Sequence, residues 1–311
     1  MKSQFNSSHT WNAPSRDPKD EQFGDVTQLT SLDDAEEYDC VFVGEPYDGG
    51  HIVGRPGARK GPKVLRRQLE GTKTHHYHNG PIQSIGDLGD IIYPMGQSVS
   101  HAQNAFLDVT TKIHAKDTLP IFLGGDHSLA YSNVKPLLDK HNSVGVINLD
   151  SHADVRTLID GQPHTGTPFR QLIDDGLDAY TQVGARQFGL SSPYVEYLDD
   201  HDVQVVTAEE VGLDIESSIN RALSSLADVD AIYVSFDVDV LDTSTAPGTS
   251  STEPGGLLSR EANYILRSIA QDRRIAGFGI YEFSPMLDSD NVTGIAGARA
   301  LTHFLSGYQS I

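Results

Sequence analysis

Val144-Gly145-Val146-Ile147-Asn148-Leu149-Asp150-Ser151-His152-Ala153-Asp154 sets an apolar run directly before three side chains able to bind a cation. The run reads as a buried strand. Asp150, His152 and Asp154 alternate with small residues, and in an extended segment the side chains at i, i+2 and i+4 lie on one face. The spacing therefore predicts three ligands converging at the end of that strand.

The pattern recurs twice. Ile232-Tyr233-Val234-Ser235-Phe236 runs into Asp237-Val238-Asp239, and Leu119-Pro120-Ile121-Phe122-Leu123 runs into Gly124-Gly125-Asp126-His127-Ser128. Any one such Asp or His at a strand end is often a helix cap or a solvated loop residue. Three clusters after three apolar strands point instead to a shared site. Four carboxylates (Asp150, Asp154, Asp237, Asp239) and two imidazoles (His127, His152) exceed the three protein ligands of one catalytic zinc. They suit two cations with bridging carboxylates. An oxygen-rich set without thiolate favours Mn²⁺ over thiolate-preferring metals, so two Mn²⁺ per subunit are expected.

Composition limits the remaining possibilities. A chain of 311 residues can bury a substantial core. Its net charge of -20 argues against a nucleic-acid partner. Acidic residues are spread along the chain and lysine is scarcer than arginine, a balance consistent with a salt-rich solvent. No apolar stretch approaches the roughly 20 residues needed to span a bilayer, and the polar start Met1 to His9 has no signal-peptide core. A cytoplasmic protein without a membrane partner is expected. The lone Cys40 opens an apolar run, which makes it a small buried residue rather than a nucleophile.

Strand-like runs near 40–44, 119–123, 144–149, 179–184, 203–206, 230–236 and 275–281 alternate with helical patterns at 61–70, 97–115 and 259–271. That alternation predicts an α/β fold on a parallel sheet. The site should then lie outside the carboxyl ends of the strands. Loops 45–61, 155–167 and 240–257, rich in Gly, Pro, Ser or Thr, are expected to form its pocket. Residues 1–37 read as an extension, loosely ordered or packed on the domain, and 38–311 as a single catalytic domain. The group His75, His76 and His78 reads as a solvated turn rather than a second metal site.

Gly124-Gly125-Asp126-His127-Ser128, Asp150-Ser151-His152-Ala153-Asp154 and Ser235-Phe236-Asp237-Val238-Asp239-Val240-Leu241-Asp242, followed by Ala246-Pro247-Gly248-Thr249, together resemble the ureohydrolases, the arginase and agmatinase family. The likeness covers roughly residues 38 to 305. It implies a three-layer α/β/α, arginase-like fold and a dinuclear manganese centre that hydrolyses a guanidino or formimino carbon–nitrogen bond. By motif, one ion would be held by His127, Asp150, Asp154 and Asp237, the other by Asp150, His152, Asp237 and Asp239. Two such cations lower the pKa of a shared water and turn it toward a planar, electron-poor carbon. Glu282 matches the family's late acidic residue near the substrate's cationic head. The resemblance also implies a homo-oligomer, trimer or hexamer.

The loop Gly161 to Gln171 discriminates among substrates. Arginases and agmatinases carry a histidine directly before the glycine matching Gly166, where this chain has Thr165, with His164 one position earlier. Formimidoylglutamases, with a hydroxyl residue there, are more similar. The resemblance thus implies hydrolysis of N-formimidoyl-L-glutamate, a small-molecule substrate, to L-glutamate and formamide in histidine breakdown. An agmatinase-like or guanidinobutyrase-like enzyme releasing urea is the alternative, and an inactive metal-binding scaffold is one of another class. The departing nitrogen needs a proton donor, expected to be Asp154, or His164 if the loop turns it inward. The substrate's carboxylates need cations, for which Arg55, Arg156 and Arg186 are candidates.

Overall fold

The computed structural model describes residues 4–6, 9–51, 55–93, 96 and 98–310. Ten strands form one sheet: β1 (Phe5–Asn6), β2 (Thr27–Leu29), β3 (Cys40–Glu45), β4 (Ile85–Ile91), β5 (Leu119–Gly124), β6 (Val144–Leu149), β7 (Ala179–Ala185), β8 (Gln204–Thr207), β9 (Ala231–Asp237) and β10 (Ile275–Tyr281). Their order is β1-β4-β3-β5-β10-β9-β6-β7-β8, with β2 also paired to β4. Every pairing is parallel except β1 with β4. The seven apolar runs read from the sequence are all strands.

Helices cover both faces, because a parallel sheet must bury both. On one side Leu65 and Leu69 of α1 (Gly61–Glu70) pack with α7 (Ser259–Ile269) and α8 (Val292–Tyr308) against Phe42, Ile121, Val234, Phe278 and Ile280. On the other, α2 (Val99–His114), α3 (Ala130–Lys140), α4 (Pro168–Asp174) and α5 (Ser192–Asp200) pack against Val41, Val43, Phe122, Val146 and Tyr233. The stripe Ala262, Ile265, Leu266 and Ile269 of α7 is buried as its spacing predicts. A further helix of the first layer, α6 (Ile215–Ser224), presents Ile219 and Ala222 to the core. The arrangement is the three-layer α/β/α fold. Among the described residues no helix is long and apolar enough to cross a membrane.

Strand β4 carries the sequence Ile85-Gly86-Asp87-Leu88-Gly89-Asp90-Ile91 and was not expected. Its charge is compensated from the helix layer. Arg66 of α1, itself buried, reaches Asp87 through Nε (2.8 Å) and Nη2 (2.9 Å) and Asp90 through Nη1 (2.6 Å). Trp11 Nε1 adds a hydrogen bond to Asp87 at 2.8 Å. Residues before 38 therefore pack on the domain where they are described: β1 and β2 extend the sheet, Trp11 covers Asp87, and Phe23 is buried.

Candidate metal centre and active site

All three ligand motifs leave the sheet at the carboxyl ends of central strands, β6 and β9 side by side and β5 one strand further on, across β10. Asp237 is the last residue of β9, and Asp239 lies in the 3-10 turn Val238–Val240 that follows. His127 opens the 3-10 turn His127–Leu129 after β5, with Asp126 capping it by accepting from Ser128 N at 3.1 Å. Gly125 is required there, since a Cβ would lie 1.9 Å from the Tyr47 carbonyl oxygen.

The second motif converges for a different reason from the one its spacing suggests. Strand β6 ends at Leu149, and Asp150 to His152 bend rather than continuing the pleat. Asp154 has φ 49°, in the left-handed region that Asp tolerates better than most residues. Its carbonyl accepts from Phe169 N (3.2 Å) and Arg170 N (3.4 Å), which holds the turn against the start of α4. Bend and left-handed turn, not pleat alternation, bring the three side chains together.

His127 Nδ1 lies 3.1 Å from Asp150 Oδ2, 3.0 Å from Asp154 Oδ2 and 3.3 Å from Asp237 Oδ2. His152 Nδ1 is 3.1 Å from Asp239 Oδ2 and 3.5 Å from Asp150 Oδ1. Two donor groups result, His127 with Asp150 and Asp154, and Asp150 with His152 and Asp239, each with ligand atoms within 4.8 Å of one another. Asp150 belongs to both, as a bridging ligand must.

The shell around these groups fixes their orientation. His127 Nε2 bonds Ser235 Oγ at 2.7 Å, and the ring stacks on Tyr281 with centroids 4.8 Å apart. With Nε2–H donating to Ser235, the Nδ1 lone pair faces the carboxylates. That nitrogen is buried and has no aligned hydrogen-bond partner, although three carboxylate oxygens are near. Donors gathered around a point without bonding one another fit a cation between them. Asp150 accepts from His152 N (2.7 Å) and Asn148 Nδ2 (3.1 Å), Asp237 from Asp239 N (2.8 Å), and Asp239 from Ser151 Oγ (2.7 Å).

Electrostatics point the same way. Burial, then the charges of Asp239 and Asp150, push Asp237 well above the carboxylate range. Burial with the Asp150 charge raises Asp154 to about 6. Burial also raises Asp239. Burial opposes ionisation of Asp150 too, but the nearby imidazoles of His127 and His152 outweigh it and hold that group low. Carboxylates packed this tightly repel until positive charge is supplied, and the oxygen-rich donor set suits a hard or borderline divalent ion.

A cavity of about 280 Å³ opens onto the centre. This is near the lower end of ligand pockets, about 300–1,000 Å³, and fits a small metabolite. All three expected loops contribute: His51 from the first, Arg156, His164, Thr165 and Gly166 from the second, and Ser250 and Ser251 from the third. Residues 52–54 of the first loop fall outside the described residues.

Glu282 also lines the cavity, at φ 65°. Its Oε1 accepts from His127 N at 2.8 Å, while Oε2 accepts from His51 Nε2 at 2.8 Å and Ser250 Oγ at 3.0 Å. His51 was missed by sequence reasoning, because a single histidine in a glycine-rich loop has no pattern to mark it. Its Nδ1 faces the Asp48 carbonyl at 3.3 Å. Both ring nitrogens thus meet acceptors. Burial works against the charged ring, but the bond to Glu282 outweighs it and raises the pKa to about 9.

The expected arginines separate. Arg156 lines the cavity and, among the described residues, forms no ion pair. Arg55 is exposed and donates to the Thr249 carbonyl at 3.2 Å, one residue before Ser250. Arg186 departs from the expectation of a substrate cation. It is buried, and its Nη atoms donate to the carbonyls of Gly184 (2.8 Å), Asp239 (3.1 Å), Leu241 (3.3 Å) and Glu253 (3.4 Å). It ties β7 to the loop after β9. His164 lines the cavity, but Nδ1 accepts from Gly166 N (3.1 Å) and Nε2 faces the Thr157 carbonyl (3.2 Å). Burial lowers its pKa, so His164, the alternative to Asp154 as proton donor, is a ring with both nitrogens already engaged.

The chain matches the arginase family over residues 38–307. It belongs to that family. A formimidoylglutamase of Halobacterium salinarum is 44% identical over 308 residues, covering 98% of this chain and 100% of that protein. Among solved structures, formimidoylglutamase from Bacillus subtilis superposes with a TM-score of 0.88 at 29% identity, covering 97% of this chain and 96% of that one. Trypanosoma cruzi formiminoglutamase with Mn2+2 gives a TM-score of 0.81 at 26% identity, over 88% of this chain and 94% of that one. The ligand motifs of this arginase-family chain are thus read in the context of a fold and family shared along nearly its whole length.

Proposed function

We propose that this arginase-family chain hydrolyses N-formimidoyl-L-glutamate to L-glutamate and formamide with two Mn²⁺ ions. The observation that supports the reading is the cavity itself, where His127, His152, Asp154, Asp237 and Asp239, with Asp150 buried beside them, meet Arg156, Glu282 and a loop with Thr165 directly before Gly166. The full-length likeness to the Halobacterium salinarum formimidoylglutamase supports the same substrate.

His127, Asp150, Asp154 and Asp237 would hold one ion, and Asp150, His152, Asp237 and Asp239 the other. When bound, the ions supply Lewis acidity and a low-pKa water. The chain's own groups do the rest. Arg156 pairs with a substrate carboxylate, Thr165 offers its hydroxyl beside it, and Arg55 at the Thr249 end of the cavity is a further cation for the second carboxylate. Glu282 accepts from the formimino nitrogen and orients the planar group. As oxygen bonds to the formimino carbon, the bond from that carbon to glutamate nitrogen breaks, and the carboxylate oxygen of Asp154 that does not face the cation delivers a proton from the attacking water to the departing amine. His164 is less suited to that role, since both its ring nitrogens already have partners. It holds the Thr165-Gly166 turn in place. A trimer or hexamer is part of the same proposal.

Product identification on Mn²⁺-loaded protein tests the reading. Formamide from N-formimidoyl-L-glutamate, with no urea from agmatine or 4-guanidinobutyrate, is expected. Urea release from the guanidino compounds alone would contradict it.

A further inference from the structure

Glu282 presents an unusual acceptor to the cavity because most of it is already used. A carboxylate offers about four lone-pair directions. Three are taken within the protein, one on Oε1 by His127 N and two on Oε2 by His51 Nε2 and Ser250 Oγ. One direction remains for a ligand.

A guanidino head carries two terminal nitrogens, and a carboxylate grips it best with two parallel N–H bonds, one to each oxygen. A formimino head carries one terminal nitrogen and needs one acceptor direction. We propose that His51 is a specificity-determining residue: by occupying Oε2 of Glu282 it leaves room for a one-nitrogen formimino head and disfavours a two-nitrogen guanidino head on the same carbon skeleton. The inference rests on the proposed substrate class and adds the group that enforces it.

The fold gives His51 little freedom to withdraw. Gly50 N donates to Asp126 Oδ2 at 2.6 Å, and the Gly50 carbonyl accepts from Thr165 N at 3.0 Å. A Cβ at Gly50 would stand 2.8 Å from Ser128 Oγ and 3.0 Å from both Asp126 carboxylate oxygens, so only glycine lets the backbone pass this close. Asp48, whose carbonyl faces the other ring nitrogen, is itself ion-paired with Arg59. Residues 48 to 51 are thus tied to the His127 motif and the Thr165 loop together, and His51 is aimed at Glu282.

The test compares N-formimidoyl-L-glutamate with N-amidino-L-glutamate, its guanidino counterpart, using full-length Mn²⁺-loaded wild type, His51→Ala, His51→Gln and Ser250→Ala. Formamide and urea are quantified, and kcat and KM are separated. His51→Ala should lower the formimino-to-guanidino ratio of kcat/KM at least tenfold, mainly through a lower KM for the guanidino compound. His51→Gln, which keeps an N–H toward Oε2, should retain most of the ratio. Equal losses on both substrates in His51→Ala would overturn the proposal and leave His51 a structural residue. If His51→Ala loses its fold by circular dichroism, Ser250→Ala frees the same oxygen, and an unchanged ratio there overturns it as well. Wild type that releases urea and no formamide would instead defeat the substrate reading, before any variant is compared.

Discussion

Asp150 is a residue on which both donor groups depend, because it belongs to each, and Asp237 is the second expected bridge. Asp150→Ala and Asp237→Ala should each lose both ions together, whereas His152→Ala should weaken mainly one. Metal analysis after dialysis checks this, and equal metal content in all three variants would contradict the bridging assignment. Thr165→His probes the second loop: a rise in urea release from agmatine is expected, and no change would remove that loop from substrate choice. The ligands were legible in the sequence because chemistry repeated after three apolar runs. Arg186 and His51 were not legible, for opposite reasons. Arg186 follows a strand that ends near the site, yet its guanidinium is committed to four carbonyls, which no spacing reveals. His51 pairs with a residue 231 positions away, and only the folded chain brings the two together.

Strand β4 shows what sequence pattern leaves out at the scale of elements. Two glycines and two aspartates hide its apolar positions, and it lies inside the sheet only because Arg66 of α1 reaches in to neutralise it. Removing one partner of a buried ion pair leaves the other uncompensated, so Arg66→Ala should destabilise the protein by about 3–5 kcal/mol. Denaturant unfolding measures it, and a loss under about 1 kcal/mol, the value of an exposed pair, would contradict the assignment. The contact between α2 and α3 makes a pH prediction. Buried His114 bonds the Asn133 carbonyl at 2.8 Å through Nε2, and burial lowers its pKa from 6.5 to about 4. Below 6.5 the unfolded chain binds a proton that the folded His114 refuses. Stability should therefore fall as pH drops from about 6.5 toward 4, at up to about 1.4 kcal/mol per unit for this group. His114→Gln should flatten that slope, and an identical slope in wild type and variant would exclude His114 as its source.

For the whole molecule, the seven apolar strands and their alternation with helices were enough to predict a parallel sheet with its site at the carboxyl edge. The sheet order and the contribution of residues before 38 were not, since both arise from long-range pairing. The net charge of -20 is a property at this scale. Self-repulsion of that size destabilises the compact state, and about 1 M salt shortens the screening length to roughly 3 Å. Melting temperature should rise steadily between low salt and molar KCl, and a flat response would show that the acidic surface carries no adaptation to salt. Six side chains from three strand ends would enclose a pair of cations. Anomalous diffraction from a crystal equilibrated with Mn²⁺ tests this most directly. Two peaks about 3.5–4 Å apart, flanking Asp150 and reached by His127 and His152, are predicted; a single peak, or none among these residues, would contradict the account.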